Sequence, residues 1–362
     1  ALVSAISVAS RTVAQKSTIP ALEGIYIRAG VKLTLSGYNL ETGITISVDA
    51  DIQETGACIM PSRLFFDIIR KLPDDTVSIS VDENFKVSIR GGISSFSITA
   101  MSSEDYPELP EVDSEKGIDL PQSELKAMIG GTSFAVSENQ ARPIHTGCLF
   151  EVEDDSITVV AVDGYRLALR RWKAEAPIGR TLKFVVPAAA LKEAEKILGD
   201  TDETCTFFLG SKHILFTIGE ATLVCRLLEG EFLDWRRVLP QNQPIKLAVN
   251  VAKMTDSIER VGLIISEKLK SPVRCRFGEN TADFRSVSTI GEAHDVCQIA
   301  GDGQDMEIGF NCRYLLDALR AIPDAECSLE LVNGLSPIVM NPCDGSGRYS
   351  YMVLPVRLKA GE

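Results

Sequence analysis

Ala161-Val162-Asp163-Gly164-Tyr165-Arg166-Leu167-Ala168-Leu169-Arg170 is the stretch on which the fold reading turns. The apolar, β-branched run Ile157 to Val162 reads as a strand. Asp163-Gly164 interrupts it with the dipeptide that reverses a chain most easily, since Gly accepts positive φ without a Cβ clash. Arg166 to Arg171 reads as the returning strand. Alone, such a hairpin is an ordinary surface turn. It does not stand alone: Lys32-Leu33-Thr34-Leu35-Ser36-Gly37-Tyr38-Asn39-Leu40-Glu41 has a similar layout, its Gly37-Tyr38 lying 127 residues before Gly164-Tyr165. Each copy leads through a further strand to an apolar helix that opens near a proline.

Those helices are Pro61 to Leu72 and Pro187 to Leu198, and Asn311 to Ile322 repeats the pattern; their starts lie 126 and then 124 residues apart. A closing signature follows each: Asp105-Tyr106-Pro107-Glu108-Leu109-Pro110, Glu231-Phe232-Leu233-Asp234-Trp235, and Tyr351-Met352-Val353-Leu354-Pro355. Three copies of one plan predict three domains, 1–112, 118–241 and 244–362, in keeping with a prior of ~150 residues per domain. Each copy reads as two helices with several short strands, an α+β class in which a helix pair covers antiparallel sheets. Further helices are expected at 1–16, 122–136 and 250–266, and separate strands in the last copy at 272–278, 281–287, 293–300 and 305–310. Three such domains in series would leave sheet edges open to aggregation, so neighbouring sheets are expected to run into one another. That makes an arc with complementary ends, and two arcs joined head to tail close a ring.

Hydrophobic residues make up 45% and charged residues 24% of the 362, the balance of a soluble globular chain. No apolar run reaches the ~18 residues of a membrane span, and no basic-then-apolar opening marks a signal peptide. The chain opens on Ala1-Leu2-Val3 without Met and in a helical pattern, which reads as a trimmed N-terminus. Nine scattered cysteines without a C-x-x-C pair, and three unclustered histidines, argue against a metal centre, a disulfide framework or a hydrolytic triad, and fit a reducing cytoplasm. Ser123-Glu124-Leu125-Lys126 has S-x-x-K spacing but no companion motif, and reads as the polar start of a helix. No catalytic residue, metal or cofactor is expected. A net charge of −13 taken by itself argues against nucleic acid. Its distribution qualifies that: basic residues recur on the repeated helices while acids crowd the connections.

The chain also resembles a known family. Thr18-Ile19-Pro20-Ala21-Leu22, Arg142-Pro143 with Gly147-Cys148-Leu149-Phe150-Glu151, Ala161 to Ala168, Asp234-Trp235-Arg236-Arg237-Val238-Leu239-Pro240, Met306-Glu307-Ile308-Gly309-Phe310-Asn311 and Tyr351 to Leu358 are similar to the motifs of the bacterial sliding clamp, the β subunit of DNA polymerase III. The likeness covers essentially the whole chain. It implies a non-catalytic processivity factor: a head-to-tail homodimer that encircles double-stranded DNA with its helices lining the hole. Such a ring is opened by an ATP-driven clamp loader, and it tethers the DNA polymerase III catalytic subunit and other clients, in the cytoplasm and without a membrane. An interaction protein of the same kind that binds partners without tracking DNA is the alternative.

The resemblance further implies that clients dock short hydrophobic motifs in a groove between the second and third domains. Its positions here are His145, Val162, Gly164, Tyr165, Arg166, Leu167, Leu233, Arg237, Val238, Ile338, Met352, Val353, Leu354, Pro355, Val356 and Arg357. Aliphatic walls suit hydrophobic anchors, methionine adapts to varied clients and arginine fixes polar ends. A charge at Leu167 or Val353 is expected to abolish docking without unfolding the chain. Leu233 stands where the family usually has Pro, His145 where an aliphatic is frequent, and the chain runs past Leu358 to Glu362. Toward DNA the likeness sets Lys16, Arg63, Arg70, Asn139, Lys192, Lys196, Arg260 and Arg313. At the ring interface it sets Phe96 and Ile98 against Ile264, Ile265 and Leu269, with Lys71 and Arg90 facing Glu292 and Asp295.

Overall fold

The structure, a computed structural model, describes residues 1–73, 75–112, 116–265 and 271–358. Leu269 and the tail 359–362 lie outside them. The helices are α1 (Leu2–Ala9), α2 (Ser62–Lys71), α3 (Gln122–Gly130), α4 (Ala188–Ile197), α5 (Trp235–Val238), α6 (Val251–Gly262) and α7 (Cys312–Arg320). The pairs α1/α2, α3/α4 and α6/α7 belong to the three repeats, and α5 is a short extra turn. Helical spacing explains the faces: α2 buries Phe65, Ile68 and Ile69 and leaves Arg63 and Arg70 outside. Asn250 and Asn311 start α6 and α7, their side-chain oxygens accepting from the backbone N–H of Lys253 (3.0 Å) and Tyr314 (3.3 Å). The first and third helices are shorter than their apolar patterns suggest. After Gly130-Gly131, the Thr132 hydroxyl donates to the Met128 carbonyl (2.7 Å) and takes up an acceptor that the next helical turn would use.

Among the described residues the strands form antiparallel sheets of nine, ten and three strands. Both large sheets cross repeat boundaries. Thr42–Val48 of the first repeat pairs with Ala221–Arg226 of the second, Thr45 opposite Thr222. Arg166–Lys173 of the second pairs with Tyr349–Val353 of the third, Leu167 opposite Met352. The expected running of sheet into sheet is therefore present at both boundaries. As a result, the two compact units of the chain do not follow the repeats: one is 1–126 with 189–227, the other 127–188 with 228–362. The first is centred on Ile6, Ile25, Leu35, Phe65 and Val87; the second includes a core of Leu149, Val160, Leu167, Trp235 and Met352.

The last repeat differs from its sequence reading in one respect. The four strands expected between 272 and 310 are two long ones, Val273–Ser288 and Gly291–Phe310. Gly278-Glu279-Asn280 and Gly301-Asp302-Gly303 look like chain reversals but lie opposite one another. There they make a bulge with register shifts at Glu279, and Asn280, Gln304 and Asp305 take φ of 57°, 58° and 56°.

Candidate peptide-binding site

The residues gathered above into a groove all lie in the second unit. Asp163 builds the turn: its carboxylate accepts from the backbone N–H of Tyr165 (2.9 Å) and Arg166 (3.1 Å), and Gly164 takes φ +92°. The turn sets the register, with Val162 opposite Leu167, Leu167 opposite Met352, and Met352 opposite Val339. Side chains alternate along a strand, so these four share one face. They pack there with Leu149, Phe232 and Trp235, and half-buried Leu354 joins them.

Arg166, Val353 and Ile338 are in register with each other and take the opposite face. On that side the Tyr351 hydroxyl reaches the Ala321 carbonyl just beyond α7 (3.1 Å). Val353 and Ile338 are both 0% exposed. They are buried on the face opposite Leu167 and Met352, and a charge at Val353 would enter the core, so the expectation of an intact fold does not hold at that position.

Of the residues expected to form the groove, the exposed apolar ones are Tyr165 (62% exposed), Leu233 (42%), Val356 (39%) and Val238 (37%). The Leu354 N–H donates to the Tyr165 carbonyl and the Val356 N–H to the Gly309 carbonyl, both at 2.8 Å, which threads Pro355 and Arg357 past the turn. Leu233 precedes α5 and Val238 is its last residue, and α5 is held by Glu151. This buried carboxylate accepts from Trp235 Nε1 (3.1 Å) and Arg236 Nη1 (2.8 Å), and Lys183 Nζ lies 3.3 Å away. A buried carboxylate needs such partners. Sequence reasoning assigns Glu151 no role, although an acid within the buried strand Gly147–Val152 is a visible signal. Arg237 is exposed and pairs with Asp234 (3.1 Å). The His145 ring meets Phe232 edge-on (5.0 Å between centroids), and its Nδ1 has no partner among the described residues. Desolvation, with Arg142 nearby, lowers its pKa and keeps it neutral at neutral pH.

Lys16, Arg63, Arg70, Asn139, Lys192, Lys196, Arg260 and Arg313 are all exposed. Several meet acids of their own unit: Arg70 with Asp67 (3.4 Å), Lys196 with Glu193 (2.7 Å), Arg313 with Asp317 (3.9 Å), and Arg260 with Asp295. Asp295, expected to face Lys71 or Arg90, is thus bound by Arg260. That hydrogen bond outweighs burial and holds its carboxyl below the usual range. Phe96 is exposed and Ile98 half-buried on Ser94–Thr99, an end strand of the three-stranded sheet; Val273–Ser288 ends the ten-stranded sheet. Ile264 and Ile265 are half-buried, and Lys71, Arg90 and Glu292 are exposed. Among the described residues no helix is long and apolar enough to cross a membrane, and no group of three His, Cys, Asp or Glu could hold a metal ion.

Comparison with known proteins gives one answer along the whole chain. The pattern of the DNA polymerase III beta subunit matches in three parts: its N-terminal domain over residues 1–110, its central domain over 119–234 and its C-terminal domain over 236–357. The chain is 32% identical over 363 residues to the beta sliding clamp of Staphylococcus epidermidis and 31% identical over 360 residues to that of Staphylococcus aureus. Each match covers 96% of this chain and 94% of the relative. The fold is similar to the DNA polymerase sliding clamp of Bacillus subtilis (TM-score 0.93, 28% identity, 99% of this chain and 97% of that one). It is equally similar to the DNA polymerase III subunit beta of Pseudomonas aeruginosa (TM-score 0.92, 28% identity, 99% and 98%).

Proposed function

The chain belongs to the DNA polymerase III beta subunit family, the beta sliding clamps, which are non-catalytic processivity factors; from that premise we propose that two copies close head to tail around double-stranded DNA in the cytoplasm. Each copy contributes clamp domains 1–112, 118–241 and 244–362. The groove of the second unit tethers the DNA polymerase III catalytic subunit, the clamp loader and other clients through short hydrophobic motifs. One observation carries the tethering: an apolar rim of Tyr165, Leu233, Val238 and Val356 stands on a floor already closed by the Leu167–Met352 pairing. A preformed floor spares the ligand the cost of ordering the site, and two hydrophobic anchors then suffice for micromolar affinity, ~8 kcal/mol.

Two end strands, one bearing Phe96 and the other running Val273–Ser288, support ring closure by edge addition. Encirclement also accommodates a net charge of −13, because a closed ring is held by topology rather than by phosphate contacts. The basic helix residues then only offset the acidic exterior near the phosphates.

The test uses nicked circular DNA, a matching clamp loader and ATP. A loaded ring is expected to stay at salt concentrations that weaken a binder with six or more phosphate contacts by ~10³. It is expected to leave as soon as the circle is cut. Salt-sensitive release from uncut circles, or equal retention on cut and uncut DNA, overturns encirclement and leaves the partner-binding alternative. Light scattering checks the dimer independently, since a 39.4 kDa monomer at micromolar concentration contradicts it.

A further inference from the structure

We infer that Asp317, on α7, is a positioning residue for the peptide groove, and that through it the groove responds to whatever binds Arg313. The inference rests on the groove and DNA-face assignments proposed above. It starts from Arg166, a charged residue only 8% exposed. The guanidinium donates from Nε to Asp163 Oδ2 (2.8 Å), from Nη1 to Asp317 Oδ2 (2.6 Å) and from Nη2 to the Phe134 carbonyl (2.6 Å). It lies 4.4 Å from the centroid of the Tyr314 ring. Tyr314 in turn stacks with Tyr165, the exposed tip of the turn, with centroids 6.1 Å apart. The tip is therefore held from two directions, by Asp163 in its own hairpin and by Asp317 and Tyr314 from α7.

A buried guanidinium needs its charge compensated and its fork filled; Asp163 supplies a counter-charge at Nε only, and Nη1 and Nη2 are left to Asp317 and the Phe134 carbonyl. Without Asp317 the turn keeps its local hydrogen bonds but loses its tie to the helix behind it. Binding must then order Tyr165 and the start of the strand that presents Leu167.

The same Asp317 oxygen lies 3.9 Å from Nε of Arg313, whose side chain is 71% exposed. One carboxylate is thus shared between an arginine that braces the groove from behind and an arginine on the face assigned to DNA. The buried bond is short. The exposed pair is long and solvated, the kind that changes an equilibrium by up to about fivefold. A phosphate that draws Arg313 away leaves Asp317 to Arg166, which steadies the tip before the peptide arrives. By linkage, a bound peptide favours phosphate engagement at Arg313 by the same factor.

The experiment follows the anisotropy of a dye-labelled short peptide with two leucine anchors, titrated with the free protein and with the ring loaded on nicked circular DNA. The wild type is expected to bind about two- to fivefold more tightly when loaded. Asp317→Asn, nearly isosteric, is expected to weaken binding to the free protein about tenfold and to erase the effect of DNA. Arg313→Gln is expected to erase the effect of DNA. Hydrogen exchange separates positioning from general loss of structure: Asp317→Asn speeds exchange at the Tyr165 and Arg166 amides while Tyr349–Val353 stays protected. If Asp317→Asn does not fold, Tyr314→Leu removes the other brace from α7 and is expected to weaken the peptide about threefold with the same local exchange pattern.

Peptide affinity within twofold of wild type in Asp317→Asn, or in Tyr314→Leu where that variant stands in, overturns the positioning role. Equal affinity of free and loaded wild type overturns the coupling. Loss of the wild-type ring from uncut circles overturns the ring reading instead, and leaves the free-protein titrations to decide the role of Asp317.

Discussion

The chain joins its repeats twice by the same device, strand to strand, and the two joints differ in what surrounds them. Where Thr42–Val48 meets Ala221–Arg226, Thr45 faces Thr222, the Ser36 hydroxyl lies 2.9 Å from that of Thr45, and the strand beyond Ile44 is only half-buried. Where Arg166–Lys173 meets Tyr349–Val353, the closing strand is buried throughout and Tyr349 stacks on Tyr351 with centroids 5.4 Å apart. The end of the second joint also carries the Asp163 turn and the Leu354–Val356 segment, close to α5. Strand addition alone therefore makes a seam. A candidate site arises where the seam ends among exposed apolar neighbours on a rigid floor.

The sharpest way to break this comparison is a charge in each seam. Val353→Asp buries a second carboxylate on the α7 side, where Arg166 is already engaged by Asp163 and Asp317, and ~3–5 kcal/mol of stability is expected to be lost in urea denaturation. Thr45→Asp at the half-buried first seam is expected to cost about 1 kcal/mol. Equal losses would mean that the seams are equivalent.

Next in size is the rim. Tyr165→Asp or Val238→Asp is expected to weaken peptide binding at least a hundredfold, ~2.7 kcal/mol, with unfolding midpoints close to wild type. Leu40→Asp, an exposed apolar position of the first unit, is expected to leave binding unchanged. A similar loss from Leu40→Asp would show that the peptide reads exposed apolar surface in general.

Glu151→Gln sharpens the contrast further, because among the described residues no buried carboxylate lies in the two strands of the first seam. Arg236 and Lys183 lose their shared anion, and a loss of about 1–3 kcal/mol is expected. In a Trp172→Phe background a shift in Trp235 emission reports whether α5 has moved.

The smallest effect concerns two histidines, one in each unit. Desolvation lowers the pKa of both His145 and His213. A histidine depressed in the folded state contributes fully above its unfolded value of 6.5 and loses that contribution as pH falls from 6.5 through the folded value. Each should account for less than about 1 kcal/mol of acid destabilisation, removed by His→Leu. Peptide affinity should follow the same fall only through His145, beside Phe232. Acid weakening that persists in His145→Leu would detach that residue from the groove.

Much of the architecture is legible in the order of the residues. The repeats, the apolar and basic faces of α2 and α7, the Asp163-Gly164 turn and the continuity of the sheets follow from hydrophobic period, turn chemistry and the need to cover edges. The resemblance names the expected groove residues as one set, and the fold divides that set between two faces of the sheet and between buried and exposed positions. The bulge at Glu279 reads as two turns in sequence because glycine and asparagine carry the same local signal in both.

By itself the sequence determined much of what depends on neighbours along the chain: most element types, the Asp163-Gly164 turn, helix faces and the threefold plan. Tertiary structure alone decided which face Val353 and Arg166 take, that Asp295 answers Arg260, that Glu151 holds α5, and that the compact units cut through the second repeat. Each of these depends on contacts between elements far apart in sequence, and the first on the register between strands. A shift of one residue would turn every side chain over, and only the packing of the finished core selects among the registers.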